Sequence, residues 1–156
     1  DMRKLALHRP QDAIICACDG VNYLDSLKAA EEFFEAANAA LKVGGLLLFD
    51  ISSQYKLENI LGCNTFAEDE QGGAYIWKNN YDPKSRLIEM NLTFFERQGE
   101  LYRRFTERHI QRAHGVDELL SALNRAGFDA EAYDFETMDP IKPDSERVQF
   151  WGRKRR

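Results

Sequence analysis

The 156-residue chain carries 44% hydrophobic and 30% charged residues, the balance of a globular protein, and its length suits one domain with a buried core. A formal charge of -5 argues against a general affinity for nucleic acid phosphates, and no apolar run approaches the roughly 20 residues of a membrane span. Cys16, Cys18 and Cys63 form no CxxC pair and have no matching Cys or His pair, which points to a reducing, cytoplasmic compartment and to no metal site.

Residues 1–7, DMRKLAL, show no strong period, and His8 to Gln11 read as a turn. From Asp12 to Cys18 the chain is apolar without alternation, which predicts a central strand of a parallel sheet, buried on both faces, with Cys16 and Cys18 on one side. Asp25 or Ser26 can cap the helix that follows, whose Leu27, Ala30, Phe33, Phe34, Ala37 and Leu41 recur at helical spacing and which Gly44 and Gly45 end. A second apolar strand, Leu46 to Ile51, is interrupted only by Asp50 and runs into Ser52 and Ser53. Together these form one βαβ unit. Parallel sheets bind ligands beyond the carboxyl ends of their strands, so Asp19, Gly20, Val21, Asn22 and Tyr23 sit at a candidate crevice.

In residues 54–73, LENILG suggests a short helix and EDEQGG a flexible acidic turn. Three alternating runs follow, at 74–81, 86–97 and 101–112, joined by Asp82-Pro83-Lys84-Ser85 and Gln98-Gly99-Glu100. They predict an antiparallel meander with one packed and one wet face. A second helix runs from Gly115 through Leu119, Leu120, Leu123 and Ala126 to Gly127. A strand from Phe128 to Phe135, a loop from Met138 to Ser145 and a last strand from Arg147 to Arg153 complete the chain, and the closing RKRR reads as a solvated tail.

The order of these elements resembles the second half of a class I S-adenosylmethionine-dependent methyltransferase, whose seven strands lie in the order 3-2-1-4-5-7-6. The phrase ALKVGGLLLFDIS resembles that family's passage into strand five, and HIQRAHGVDELLSALNRAGFDAEAYDF its passage into strand six. The resemblance implies an α/β, Rossmann-like sheet made of strands four to seven. It also implies a methyltransferase portion at 1–53 and 113–156, with a substrate-covering antiparallel β insert at 54–112. The cofactor implied is S-adenosyl-L-methionine and the acceptor a small molecule. Asp1-Met2-Arg3 resembles the acidic motif after strand three, which implies that Asp1 and Met2 meet the adenine. Cys18, Asp19 and Tyr23 fall where the family meets the methionyl part of the cofactor and the incoming nucleophile.

The family's glycine-rich loop after strand one and its acidic residue ending strand two have no counterpart here. Gly44-Gly45 and Gly72-Gly73 cannot replace the loop, since neither pair follows a strand and opens a helix. The chain begins with Asp rather than Met, as a processed or trimmed product would. The Asp12 to Cys18 strand is then expected to become a sheet edge, and to pair with a missing N-terminal half or by self-association.

Methyl transfer is an in-line displacement that proximity and exclusion of water can accelerate without an obligatory catalytic side chain. In the meander, Tyr75, Trp77 and Tyr81 alternate on one face, with Tyr102, Phe105 and His109 available from the third run. Such a face can hold a planar or cationic acceptor, or simply pack on the sheet. His109 is the candidate catalytic base of that region, Tyr75 and Trp77 are candidate substrate contacts, and Arg112 is a candidate partner for an acceptor carboxylate. A competing reading is a non-catalytic binding or assembly module that keeps this fold. A different Rossmann-like nucleotide enzyme fits the antiparallel insert less well.

Overall fold

The two apolar runs form neighbouring strands in the computed structural model, which describes residues 1–156. β1 (Gln11–Cys16) and β2 (Leu41–Ser52) pair in parallel, with Ile14 opposite Leu47 and Cys16 opposite Phe49. Between them runs α1 (Leu27–Ala40), whose N-cap Ser26 accepts a hydrogen bond from the Ala29 amide at 3.2 Å, satisfying one of the donors a helix start leaves free. Gly44 and Gly45 do not end this helix. The backbone turns extended at Leu41 and both glycines lie inside β2. What closes α1 is Lys154, whose ammonium donates to the carbonyls of Asn38 at 2.7 Å and Leu41 at 2.9 Å. The basic end of the chain is thus only partly a solvated tail: Arg153 and Lys154 belong to the last strand, and Arg155 donates to the Asn124 carbonyl at the end of the second helix.

The meander, described below, separates β2 from α2 (Val116–Arg125), β7 (Phe128–Asp134) and β8 (Arg147–Lys154). β8 inserts antiparallel between β2 and β7, giving the order β1-β2-β8-β7, the 4-5-7-6 arrangement of the resemblance. Both helices cover one face of this sheet. There Phe34, Leu47, Phe49, Ile51, Leu119, Leu123, Phe128 and Phe150 form the main core, with Phe49 and Phe150 stacked at 4.7 Å between centroids.

β1 is not a central strand. It lies at the sheet edge, and Ile15 on the face away from the helices is 72% exposed. Leu48, Phe135 and Met138 share that uncovered side with it. The pattern of a doubly buried strand is present in the sequence, but in this chain only one of the two faces has a covering layer.

The second sheet holds β3 (Thr65–Glu70), β4 (Gly73–Asp82), β5 (Leu87–Gln98) and β6 (Leu101–Arg112) in meander order. Glu68, Asp69 and Glu70, expected in a turn, are strand residues paired with Tyr75, Ala74 and Gly73. A smaller core of Leu57, Leu61, Ile88 and Met90 lies beneath it, where Leu57 and Leu61 come from a short helical turn at Lys56–Leu61.

Asn22 joins the sheets. Fully buried, its amide donates to the carbonyls of Ser52 at 3.0 Å and Arg112 at 2.9 Å, while its oxygen accepts the Ser52 amide at 3.0 Å. One side chain therefore fixes the turn after β1 against the ends of β2 and β6.

Candidate active site

Asp50, the one polar interruption of the β2 run, builds the turn that follows β1. Only 4% exposed, its carboxylate accepts the amides of Cys18 and Asp19, both at 2.9 Å. Those two residues have φ of 59° and 51°, a left-handed conformation disfavoured for side-chain-bearing residues. The two amide bonds offset that cost. The charge is balanced by Arg147, whose guanidinium approaches the same carboxylate at 2.6 Å and also lies over the Phe135 ring. A buried carboxylate must be paired and hydrogen-bonded, so an Asp inside an apolar strand was itself the signal for this arrangement.

Because β1 ends at Cys16, the Cys18 side chain does not continue the strand alternation and is exposed. Cys16 is half-buried, and burial, aided by the nearby Asp50 charge, pushes its thiol upward, away from reactivity. No group of three or more His, Cys, Asp or Glu side chains is arranged to hold a metal ion.

Beyond the turn lie two hollows that share Tyr23. The first, of about 260 Å³, is lined by Asp1, Met2, Tyr23, Leu24 and Asp25. The Asp1 carboxylate there receives the Arg3 amide at 3.1 Å and the Arg3 guanidinium at 2.7 Å. The second, of about 310 Å³, lies between the turn and the inner face of the meander, with Asp19, Tyr23, Trp77, Met90, His109 and Gln111 among its walls.

In the second hollow a chain of polar contacts crosses from one sheet to the other. Gln111, 4% exposed, donates to Asp19 Oδ2 at 2.9 Å, and the Ser52 hydroxyl donates to the same oxygen at 3.3 Å. Tyr23 Oη lies 3.0 Å from His109 Nδ1, and His109 Nε2 lies 3.2 Å from Glu107 Oε2. An ionised carboxylate can only accept, so the ring proton belongs on Nε2 and the Nδ1 lone pair accepts the Tyr23 hydroxyl. Burial, reinforced by the Asp19 and Glu107 charges, raises the Tyr23 phenol despite its contact with Gln111, so the phenol stays a donor.

The sequence candidates thus divide. Asp19, Tyr23, Trp77 and His109 meet at one cavity, and Asp1 and Met2 line its neighbour through Tyr23. Tyr75 shares the face of Trp77 but stands nearer the start of β4, against Phe94 and outside the cavity. Arg112 is not in it either. Three residues along β6 from His109, it points from the opposite face and its guanidinium donates to the Ser85 carbonyl at 3.1 Å. Tyr102 is likewise on the opposite face from His109. Asp50, Ser52, Glu107 and Gln111 were not among the sequence candidates, and Asn22 was placed at the crevice without a role. Only Asp50 carried a local signal; Glu107 gains its meaning from His109, two residues on, and Asn22, Ser52 and Gln111 from contacts dozens of residues away.

No family model matches the chain. YqeM of Bacillus subtilis (strain 168), which carries a provisional methyltransferase name, is 33% identical over 157 residues, 99% of this chain and 63% of YqeM. A crystal structure of an S-adenosylmethionine-dependent methyltransferase from Clostridium acetobutylicum ATCC 824 matches with TM-score 0.93 and 30% identity, over all of this chain and 63% of that one. The CcbJ methyltransferase from Streptomyces caelestis matches with TM-score 0.80 at 16% identity, over all of this chain and 62% of its own, a likeness of fold. The chain spans about 63% of the length of the curated relative YqeM. In fold and in sequence, this chain is similar to a part, about 63% by length, of an S-adenosylmethionine-dependent methyltransferase.

Proposed function

We propose that the chain takes part in methyl transfer from S-adenosyl-L-methionine to a small-molecule acceptor, with the cofactor in the hollow of Asp1 and Met2 and the acceptor in that of Asp19, Trp77 and His109. The observation that carries this reading is that Tyr23 lines both hollows, so two ligands held there would meet at one side chain. The fit to the cofactor is that of one wall. Gly20 supports it: a Cβ there would lie 2.8 Å from Cys16 Sγ and 3.9 Å from Met2 Cε, so a small residue keeps the turn close to both. The bound cofactor would supply an electrophilic methyl group on a sulfonium. This chain's residues would align the acceptor, exclude water through Trp77, Met90 and Leu92, and accept a proton at His109 through the Tyr23 hydroxyl.

The open edge of β1 and the uncovered side around Ile15 support a further part of the proposal: a segment carrying the family's glycine-rich loop and first strands covers them and completes the cofactor site. A second copy of the chain is the other occupant of that edge, and a sedimentation profile of a stable monomer of residues 1–156 would speak against both. The same open edge is what a binding or assembly module without catalysis would present. Isothermal titration with S-adenosylmethionine and S-adenosylhomocysteine separates the readings. Binding that weakens in Tyr23→Ala supports the transferase, and no heat with either ligand, from this chain or a longer protein containing it, contradicts it.

A further inference from the structure

Charge around the second hollow does not balance. Its two cationic side chains are already committed, Arg147 to Asp50 at 2.6 Å and Lys56 to Glu146 at 3.4 Å. Asp19 has neutral partners only, Gln111 and Ser52, both on Oδ2. Asp19 is half-buried beside aromatic walls with no counter-charge of its own, and a cation entering the hollow would supply one. Trp77 and Tyr23 line the same cavity and can present π faces to such a cation. The Trp77 indole N–H is buried without an acceptor, which a ligand oxygen would satisfy.

Resting on the proposed function, we infer that the acceptor is a nitrogen acceptor, a small primary or secondary amine that also carries an oxygen function. Asp19 holds it as the ammonium. One N–H proton passes to the Tyr23 oxygen as the Tyr23 proton moves to His109 Nδ1, leaving a nitrogen lone pair. That pair forms the N–C bond to the methyl as the S–C bond breaks, its electrons returning to sulfur as a thioether. The methylated product is again a cation, facing Asp19. A hydroxyl acceptor would bring no charge to Asp19, and a carboxylate would be repelled by it.

The test uses the 156-residue chain, nitrogen-15 labelled, with trans-2-aminocyclohexanol and trans-1,2-cyclohexanediol, two probes of the same frame that differ in the ammonium group. The amino alcohol is expected to shift the Trp77 indole and Gln111 side-chain signals with at least about tenfold tighter binding than the diol, and Asp19→Asn to erase that preference. Equal binding of the two probes, no binding of either, or a preference that survives in Asp19→Asn would overturn the inference. The wild-type comparison stands even if the variant misfolds. Titration with S-adenosylmethionine, read at Met2 and Gly20, separates failure of this inference from failure of the transferase reading. Shifts there with no response at Trp77 to the amino alcohol would remove only the nitrogen acceptor.

Discussion

The hydroxyl of Tyr23 lies 3.0 Å from Nδ1 of His109, so the turn that follows a parallel strand is bonded to the last strand of an antiparallel meander 86 residues away. His109 is turned by Glu107 on its other nitrogen, at 3.2 Å. Both ring nitrogens are therefore engaged, and in the proposed reaction a proton leaving a ligand would reach His109 by way of Tyr23. Nitrogen-15 spectra at mildly alkaline pH are expected to show the Nε2–H form as the major tautomer, with the preference lost in Glu107→Gln. An Nδ1–H majority in the unmodified protein would refute the relay. In an active preparation, His109→Gln is expected to lower turnover about tenfold to a hundredfold, and Tyr23→Phe to lower it as well.

Asp50 sets the shape of the site from beneath. Its carboxylate holds two left-handed residues and one guanidinium, and Asn in its place keeps the volume but loses the charge and half of the acceptor capacity. Asp50→Asn is expected to cost about 2–3 kcal/mol in urea unfolding, because Arg147 is left without its partner. A loss below about 0.5 kcal/mol would mean that the turn holds its form without the carboxylate.

His114 makes the fold sensitive to acid. Its Nε2 is 2.8 Å from the Leu24 carbonyl, while Nδ1 is buried without a hydrogen bond. Burial is the main cause that lowers its pKa below the ordinary histidine value, outweighing the Leu24 bond and the Glu118 charge, while Arg112 and Arg86 add to the lowering. The unfolded chain therefore takes up this proton at a higher pH than the folded one. Stability is fully present above the unfolded value, near about 6.5, and is lost as pH falls from there towards the folded value. Denaturant midpoints measured down this range are expected to fall in the native protein. They should fall less in His114→Gln, whatever that variant's stability at neutral pH, and identical slopes would contradict the assignment.

Lys154 belongs to the α1 end rather than to a free tail. Lys154→Met keeps the apolar stem but leaves the Asn38 and Leu41 carbonyls without their donor, with an expected cost of about 1–2 kcal/mol in thermal unfolding. Arg156→Met, two residues on, is expected to leave the melting temperature within error. Equal effects at the two positions would return the whole RKRR segment to solvent.

Much of the fold was legible because periodicity reports burial. The strands at β1 and β2, the helix from Leu27 and the three longer strands of the meander follow directly from it. β3 was missed because Glu68, Asp69 and Glu70 look like a turn, yet they are exposed edge-strand residues whose pairing with β4 asks only for backbone bonds. The Gly-Gly pair misled for a related reason: Lys154, more than a hundred residues away, ends α1 before the glycines do. Asp19, Tyr23, Trp77 and His109, the residues of the proposed site, could be chosen from position and chemistry, and the fold brings them to one cavity. Arg112 could not be rejected, because which face of β6 looks inward depends on its register with β5, where Gln111 pairs with Ile88 and His109 with Met90. Gln111 carries no sequence signal, and Asn22 shows only its place at the crevice, since the worth of both lies in what they bridge.

The most direct measurement maps S-adenosylmethionine onto the nitrogen-15-labelled chain at millimolar concentration. Saturable shifts at Met2, Gly20, Asn22 and Leu24, absent or weakened in Tyr23→Ala, are the expected result, since Tyr23 is the wall common to both hollows. No shift at these residues, or shifts confined to the outer strands of the meander around Tyr75 and Phe94, would contradict a cofactor wall at the end of β1.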